Sequence, residues 1–178
     1  MAANAQKVRL HLGCGDERLE GWVNVDFHNP RADQSVDLFS QPWPWSDSSV
    51  DVVYMHHFLE HFPKLIETLR EVHRILKPGG GFRVIVPYAR GVHAHAIGHE
   101  QFFTYCTFEQ LCNSSEWFAR AHHILFEMVS YRVRLLKLPW LRWTPLDWPA
   151  SHFPLFWEKI AFSVLTPTEI EWVGRAVK

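Results

Sequence analysis

Residues 8–26 of the chain read VRLHLGCGDERLEGWVNVD. Apolar side chains fill every second position before the glycines, at Val8, Leu10 and Leu12. This alternation predicts a strand that ends at the turn 13–15, and residues 22–27 predict a second strand that carries Asp26. A glycine-rich turn lets the backbone approach a ligand because no Cβ stands in the way. A carboxylate at the end of the next strand can accept hydrogen bonds from ribose hydroxyls, so the stretch predicts a nucleotide-type site. A Gly-Cys-Gly sequence on its own also fits a simple tight turn.

The spacing of the glycines and of Asp26 argues against two common nucleotide sites. A dinucleotide fingerprint needs a third glycine that opens a long helix, with an acidic residue about 20 residues further on. Arg18 stands where that glycine would be, and Asp26 follows too early. The chain also contains no Gly-Lys-Ser or Gly-Lys-Thr, which a P-loop requires. The pattern therefore disfavours a dehydrogenase and a P-loop nucleotide hydrolase.

Beyond Asp26, segments typical of strands alternate with crossovers. The strand patterns lie at residues 35–38, 50–55, 82–86, 126–136 and 169–178. A helix is predicted from Pro63 to Leu76, where apolar residues recur at spacings of three and four before the glycines at 79–81. A second helix is predicted from Thr107, with Gln110 completing a capping box, to about residue 120. The alternation predicts an α/β fold with a mainly parallel sheet.

The first two crossovers are too short for helices of ordinary length. Ten residues separate Gly15 from Asp26, and about seven separate Phe27 from Ser35, whereas a mean helix has about 11 residues. One face of the sheet is therefore expected to lack its helices near the first three strands. Either the tryptophan-rich segment described next or a second subunit is expected to cover that face.

Length and composition predict one domain spanning residues 1–178. Its core would comprise residues 7–136 and 168–178, and a tryptophan-rich insertion would occupy residues 137–167. Three interpretations of the insertion stay open, namely a cover for the bare sheet face, a homodimer contact, and a seat on a membrane surface or on a lipid-linked acceptor.

Charge and cysteine content indicate which partners and which cellular compartment to expect. The formal net charge is −1, which gives no overall field that favours nucleic acid. The three cysteines form no paired framework and no signal peptide is recognised, so a cytoplasmic protein with reduced thiols is expected.

Three longer stretches carry a family resemblance. They are LHLGCGDERLEGWVNVDFH (residues 10–28), VDLFSQPWPWSDSSVDVVYMHHFLEH (36–61) and LREVHRILKPGGGFRVIVP (69–87). Together they resemble class I S-adenosylmethionine-dependent methyltransferases of the methyltransferase type 11 group, especially its short members. The resemblance implies a single Rossmann-like domain with a seven-stranded sheet of order 3-2-1-4-5-7-6 and an antiparallel last strand. It implies S-adenosylmethionine as the cofactor and leaves the methyl acceptor open.

The resemblance also implies roles for the residues after the first two strands. The backbone of Gly13, Cys14 and Gly15 would line the methionine part of the cofactor. Asp26 would bind the ribose hydroxyls, with Phe27 beside the adenine.

Four more residues receive roles in the same way. Asp37 and Leu38, after the third strand, would meet the adenine edge. Met55 and His56, at the end of the fourth strand, would face the sulfonium. The missing first helix is a departure from the family pattern and leaves the binding of the cofactor's carboxylate unexplained.

Catalytic candidates follow the fourth strand. His57, Glu60 and His61 would share one face of a helical turn. They fit core and capping residues, a His–Glu pair that removes a proton from the acceptor, or a divalent metal site. The prediction assigns them to catalysis and assigns no metal.

A second histidine cluster follows the fifth strand. His93, His95 and His99 fit a transition-metal site, contacts to the acceptor, or a solvated loop, and these alternatives stay open.

The predicted function is transfer of a methyl group from S-adenosylmethionine to an oxygen or nitrogen atom of a small molecule, such as a sugar or a lipid-linked intermediate. The alternative is a non-catalytic interaction or scaffold subunit with the same fold. A nucleic-acid methyltransferase is disfavoured, because Met-His-His-Phe stands where a base-flipping motif would be expected.

Overall fold

A six-stranded sheet organises the computed structural model, which describes residues 7–112, 117–135, 145, 147–159 and 166–178. The strands are β1 (Arg9–Leu12), β2 (Val23–Val25), β3 (Val50–His56), β4 (Leu76–Pro87), β5 (Phe126–Arg134) and β6 (Glu169–Ala176). Their order is β2-β1-β3-β4-β6-β5, and β6 runs in the direction opposite to the other five strands. The mainly parallel α/β fold and the antiparallel last strand are confirmed.

The predicted count of seven strands is wrong by one for the described residues. The segment expected as the third strand contributes a single parallel bridge, between Val25 and Gln34. The N–H groups of Asp33 and Gln34 both donate to the Asn24 carbonyl, and the Asp33 carboxylate accepts from the Asn24 N–H. These bonds tie the segment down as a turn, so no ladder continues through residues 35–38.

The helices cluster late in the chain. They are α1 (Leu65–Ile75), α2 (Tyr105–Cys112), α3 (Trp117–His122), α4 (Asp147–His152) and α5 (Pro154–Lys159), with short 3₁₀ segments at Leu59–His61 and Val92–His95. The helix predicted from Thr107 begins two residues earlier. The Thr107 hydroxyl accepts from the Thr104 N–H at 3.1 Å, so Thr107 lies inside the first turn and does not cap it with Gln110. The continuous helix to residue 120 is also wrong, because α2 ends at Cys112 and α3 starts at Trp117.

One face of the sheet carries the apolar core. Trp172 is fully buried at its centre, with its ring stacked on Phe108 of α2 at 5.2 Å and edge-on to Phe126 at 5.6 Å. The strands contribute buried side chains to the same core, among them Leu10, Leu12, Val53, Met55, Phe82, Val84, Val86 and Ile170. This face is where α1 and α2 pack.

The opposite face is polar. The Tyr54 ring lies beside His11 in a tilted contact with 4.9 Å between ring centroids, and the Arg83 guanidinium lies 4.9 Å from the centre of the Tyr54 ring. Arg83 also pairs with Glu171 at 2.6 Å. Residues 13–22 and 26–49 contain no α-helix, which confirms the predicted loss of helices beside β1 and β2.

The described part of the insertion covers a sheet edge. The Ser151 hydroxyl of α4 accepts from the Val133 N–H at 2.8 Å, and the Asp147 carboxylate accepts from the Leu135 N–H at 2.7 Å. These side chains satisfy donors that the edge strand β5 would otherwise expose. The helices α4 and α5 pack on β5 and α2, at the edge opposite β2, so this part of the insertion does not lie over the bare face beside β1 and β2. Residues 137–144, 146 and 160–165 of the insertion lie outside the described residues. None of the helices among the described residues has the length and apolar character that a bilayer crossing requires.

Candidate functional site

The carboxyl ends of β1, β2 and β3 meet at one edge, because these strands are parallel neighbours. The N–H groups of Gly13 and Cys14 donate to the Val25 carbonyl at 2.9 and 3.1 Å, which fixes the glycine turn onto the end of β2. Gly13 and Gly15 have φ angles of +66° and +49°, a region that other residues enter at a cost. An added Cβ at Gly15 would meet nothing within 4 Å, so the space in front of this backbone is open.

Asp26 is half-buried and faces the turn. One carboxylate oxygen accepts from the Gly15 N–H at 2.9 Å, and the other accepts from the N–H groups of His28 and Asn29 at 2.8 and 3.0 Å. Burial opposes the charge of this carboxylate, but the three backbone donors outweigh it and lower the pKa of Asp26. A carboxylate offers about four acceptor positions, so one position remains for a ligand hydroxyl.

Phe58 fills the space beside Gly13. A Cβ on Gly13 would come within 2.1 Å of the Phe58 ring, which also contacts Phe39 at 6.0 Å and Phe62 at 5.0 Å between centroids. A glycine is therefore required at position 13 for the packing of Phe58. Sequence reasoning missed Phe58, because nothing in the pattern indicates that the ring turns back over the glycine turn.

The other residues predicted to line the cofactor differ in orientation. Cys14 is buried, whereas Phe27 is 56% exposed at the site edge. The carboxylate of Asp37 accepts from the Phe39 N–H and the Ser40 hydroxyl and so closes its own turn.

The side chains of three more residues that were predicted to contact the cofactor do not face the carboxyl edge of the sheet. The side chains of Leu38 and Met55 are buried in the apolar core, so only their backbone can meet a ligand. His56 turns to the polar sheet face and pairs with Glu17 at 2.8 Å.

His57 lies between two carboxylates. Its Nδ1 is 3.3 Å from Glu60 and its Nε2 is 3.2 Å from Glu169. Burial alone would lower the pKa of the imidazole, but Glu169 and Glu60 outweigh it and raise the pKa of His57 to about 9. His57 is therefore protonated at neutral pH and has no free lone pair to act as a base. Its φ of +49° is a strained conformation for a non-glycine residue.

Glu169 is a site residue that sequence reasoning missed. It is the first residue of the antiparallel strand β6 and pairs with Pro87, the last residue of β4. The reversed direction brings it to the edge where the parallel strands end. It also pairs with Arg134 at 2.5 Å. The predicted antiparallel last strand, starting at Glu169, carried the signal that could have placed it.

The two histidine clusters combine in an unexpected way. His93 and His95 are exposed, and His95 contacts Phe102. His99 instead packs edge-on against His61, with ring centroids 4.7 Å apart, beside Glu60. The loop histidines therefore do not converge with one another, and only His99 joins residues of the first cluster.

An apolar cavity of about 380 Å³ lies between α1 and α2. Its lining includes Leu59, Ile66, Leu69, Phe103, Phe108 and Leu111. Leu59 directly precedes Glu60, so the cavity begins next to the site. Its volume falls within the range of small-molecule pockets, about 300–1,000 Å³.

Comparison with known proteins agrees with this geometry. A family model described as a methyltransferase domain matches residues 10–84. The sterol 4-C-methyltransferase strm-1 of Caenorhabditis elegans is 43% identical over 44 residues, which are 25% of this chain and 13% of that protein. The chain thus matches only a small part of the length of this curated relative.

Solved structures share the fold at low sequence identity. A chain from the complex of the Haloferax volcanii Trm112 methyltransferase activator with a methyltransferase has a TM-score of 0.62 and 19% identity, covering 100% of this chain and 85% of that one. A SAM-dependent methyltransferase from Archaeoglobus fulgidus has a TM-score of 0.61 and 15% identity, covering 96% and 86%. The family match spans the glycine turn, Asp26 and residues 57–61.

Proposed function

We propose that this chain, which carries a methyltransferase domain on the fold of class I S-adenosylmethionine-dependent methyltransferases, methylates an oxygen or nitrogen atom of a small molecule. The contact between the Gly15 N–H and the Asp26 carboxylate carries the proposal, because it joins the two elements that recognise a nucleoside. Ligands of open parallel sheets bind at this edge. A single domain over residues 1–178 is part of the same proposal.

The residues present fit S-adenosylmethionine, which supplies an electrophilic methyl group when it is bound. The open space in front of Gly15 supports approach of the methionine part to the backbone. The remaining acceptor position on Asp26 supports a bond from a ribose hydroxyl, and the exposed ring of Phe27 is available to the adenine.

The charge state of His57 argues for a positioning role. Both of its ring nitrogens face carboxylates, so it holds Glu60 and Glu169 in place at the end of β3 and β4. In this proposal Glu60 and His61 are the groups that act on the acceptor. Methyl transfer depends mainly on alignment of the two reactants. The ion pairs of His57 with Glu60 and Glu169 would keep the residues around the acceptor in fixed positions.

The apolar cavity supports an acceptor with a substantial apolar part. Its lining is dominated by leucine, isoleucine and phenylalanine side chains. The C. elegans relative is named as a sterol methyltransferase, and this supports a lipid-like acceptor over a free sugar. Homodimer and membrane contacts stay predictions.

Calorimetric titration with S-adenosylhomocysteine tests the cofactor site. We expect the wild type to bind and Asp26→Ala to bind about 10- to 100-fold more weakly, because a charge-assisted hydrogen bond is worth about 1.5–3 kcal/mol. Asp16→Ala is the matched control, since the Asp16 side chain is 92% exposed in the same turn. Well-folded wild type that does not bind would refute the proposal. Equal binding by Asp26→Ala would refute the ribose contact.

Transfer of a labelled methyl group tests the activity. The acceptor panel should contain sterols, phenols, amines and sugars, and we expect turnover with an apolar hydroxyl or amine compound. Cofactor binding without transfer to any member would instead favour an interaction subunit with the same fold.

A further inference from the structure

We propose that Glu60, His61 and His99 form a binding site for a divalent transition-metal ion such as Zn²⁺. One ligand atom from each residue lies within 4.8 Å of the other two. Glu60 comes from the 3₁₀ segment after β3, and His99 comes from the loop after β4, so the site joins two segments that are distant in sequence. This site stands on its own geometry and does not require the cofactor.

The burial of Glu60 is the first argument. The residue is 1% exposed, and neither carboxylate oxygen makes a hydrogen bond with any described residue. Oε1 lies 3.3 Å from His57 Nδ1, an ion-pair distance without hydrogen-bond geometry. The imidazolium of His57 lies beside Oε1 only, and Oε2 accepts no hydrogen bond from any described residue. A buried carboxylate without hydrogen bonds is costly, and a metal ion bound to it would offset that cost.

The orientation of the two imidazoles is the second argument. His61 Nδ1 donates to the Gly98 carbonyl at 2.9 Å, and His99 Nδ1 donates to the Ala94 carbonyl at 3.2 Å. In the neutral imidazole each bond selects the Nδ1–H tautomer, whose lone pair is on Nε2. Histidine ligands of metals commonly donate their second N–H to a carbonyl in this way.

The backbone holds the two segments together without the ion. The Glu60 carbonyl accepts from the N–H groups of Glu100 and Gln101 at 2.8 and 3.0 Å. Gly98, with a φ of +91°, makes the turn that presents its carbonyl to His61. The loop is therefore docked next to Glu60 by bonds that involve none of the three ligand atoms.

The ligand set selects the class of metal. Imidazole nitrogen favours Zn, Cu, Fe and Ni over Mg and Ca, and two histidines with one glutamate are a known zinc set with a vacant fourth position. Zn–N and Zn–O bonds of about 2.0–2.2 Å place tetrahedral ligand atoms about 3.4 Å apart, so these atoms, now within 4.8 Å of one another, must close by up to about 1.4 Å around an ion. The fourth position would be available to water or to an oxygen of the acceptor.

Titration of chelator-treated protein with Zn²⁺ tests the site, and the absorption spectrum of Co²⁺ reports the coordination. We expect one tight site per chain in the wild type and an affinity at least about tenfold lower in His99→Asn and in Glu60→Gln. His95→Asn is the matched control, because His95 is exposed in the same loop and lies outside the cluster. We expect its affinity to equal that of the wild type.

Two results would overturn the proposal. One is absence of a tight site in the wild type, and the other is equal weakening in His95→Asn and His99→Asn. Binding of S-adenosylhomocysteine and the melting temperature, measured on the same samples, report folding. If these are retained while Zn²⁺ binding is absent, the metal site alone fails. If Zn²⁺ binds but S-adenosylhomocysteine does not, the cofactor proposal fails and the metal site stands.

Discussion

The two faces of the sheet are stabilised in different ways. The face under α1 and α2 is closed by apolar packing around Trp172, which is fully buried. The opposite face has no helices beside β1 and β2, and its central side chains are His11, Tyr54, Arg83 and Glu171. There the contacts are between rings, such as Tyr54 and His11, and between ions, such as Arg83 and Glu171 at 2.6 Å.

This difference explains how the chain folds although one face of the sheet lacks helices beside β1 and β2. Parallel sheets normally need cover on both faces because their strands are apolar on both sides. Here the side chains of the second face are polar or amphipathic and contact one another, so His11, Tyr54 and Glu171 are buried without a helix beside β1 and β2. The candidate site residues lie at the carboxyl edge of the sheet, between the two faces.

Trp172→Ala tests the apolar face and should have the largest effect. Removing a large buried aromatic side chain from a packed core costs about 3–5 kcal/mol, and Trp172 contacts rings from α2, β4 and β5. The free energy of unfolding, measured with urea, should fall by that amount. Val173→Ala is the control on the other face, where Val173 is half-buried. A loss in Val173→Ala as large as in Trp172→Ala would contradict the contrast between the faces.

Arg83→Met tests the polar face. Glu171 is 5% exposed and would lose its guanidinium partner, so we expect a loss of about 1–3 kcal/mol in the free energy of unfolding. The paired change Arg83→Met with Glu171→Met should recover much of this loss, because the unpaired buried charge is then removed. If the double variant is as unstable as the sum of both single variants, the ion pair is not what stabilises this face.

Much of this contrast was visible in the sequence, but only where local pattern decides the outcome. The alternation around His11 and the short gap from Gly15 to Asp26 predicted the bare face. The third strand could not be predicted in the same way. Val36 and Leu38 fit a strand, yet the bonds from residues 33 and 34 to Asn24 end the ladder before them.

The residues of the candidate site also differ in whether local sequence could predict them. The glycine turn and Asp26 could be predicted because each directly follows its strand in the sequence. The pairing of His57 with Glu169 spans 112 positions and depends on the direction of β6. The contact of His61 with His99 depends on how one loop docks against another. Spacing along the chain carries no information about such contacts until the topology is known.

The smallest effect concerns the pH dependence that the polar face confers through His11. Burial is the main cause that lowers the pKa of His11 from its ordinary value of 6.5. A histidine with a lowered pKa in the folded state takes up its proton more readily when unfolded, so folding loses stability as the pH falls through and below about 6.5. His11→Phe keeps a ring against Tyr54 and removes the titration. Between about pH 7.5 and 5.5 the wild type should lose up to about 1 kcal/mol more in the free energy of unfolding than His11→Phe.

His73, whose pKa is also lowered mainly by burial, is present in both proteins and cancels from the difference. Identical pH profiles for the two proteins would mean that water reaches His11 in spite of its 1% exposure, and that the polar face is more open than its packing indicates.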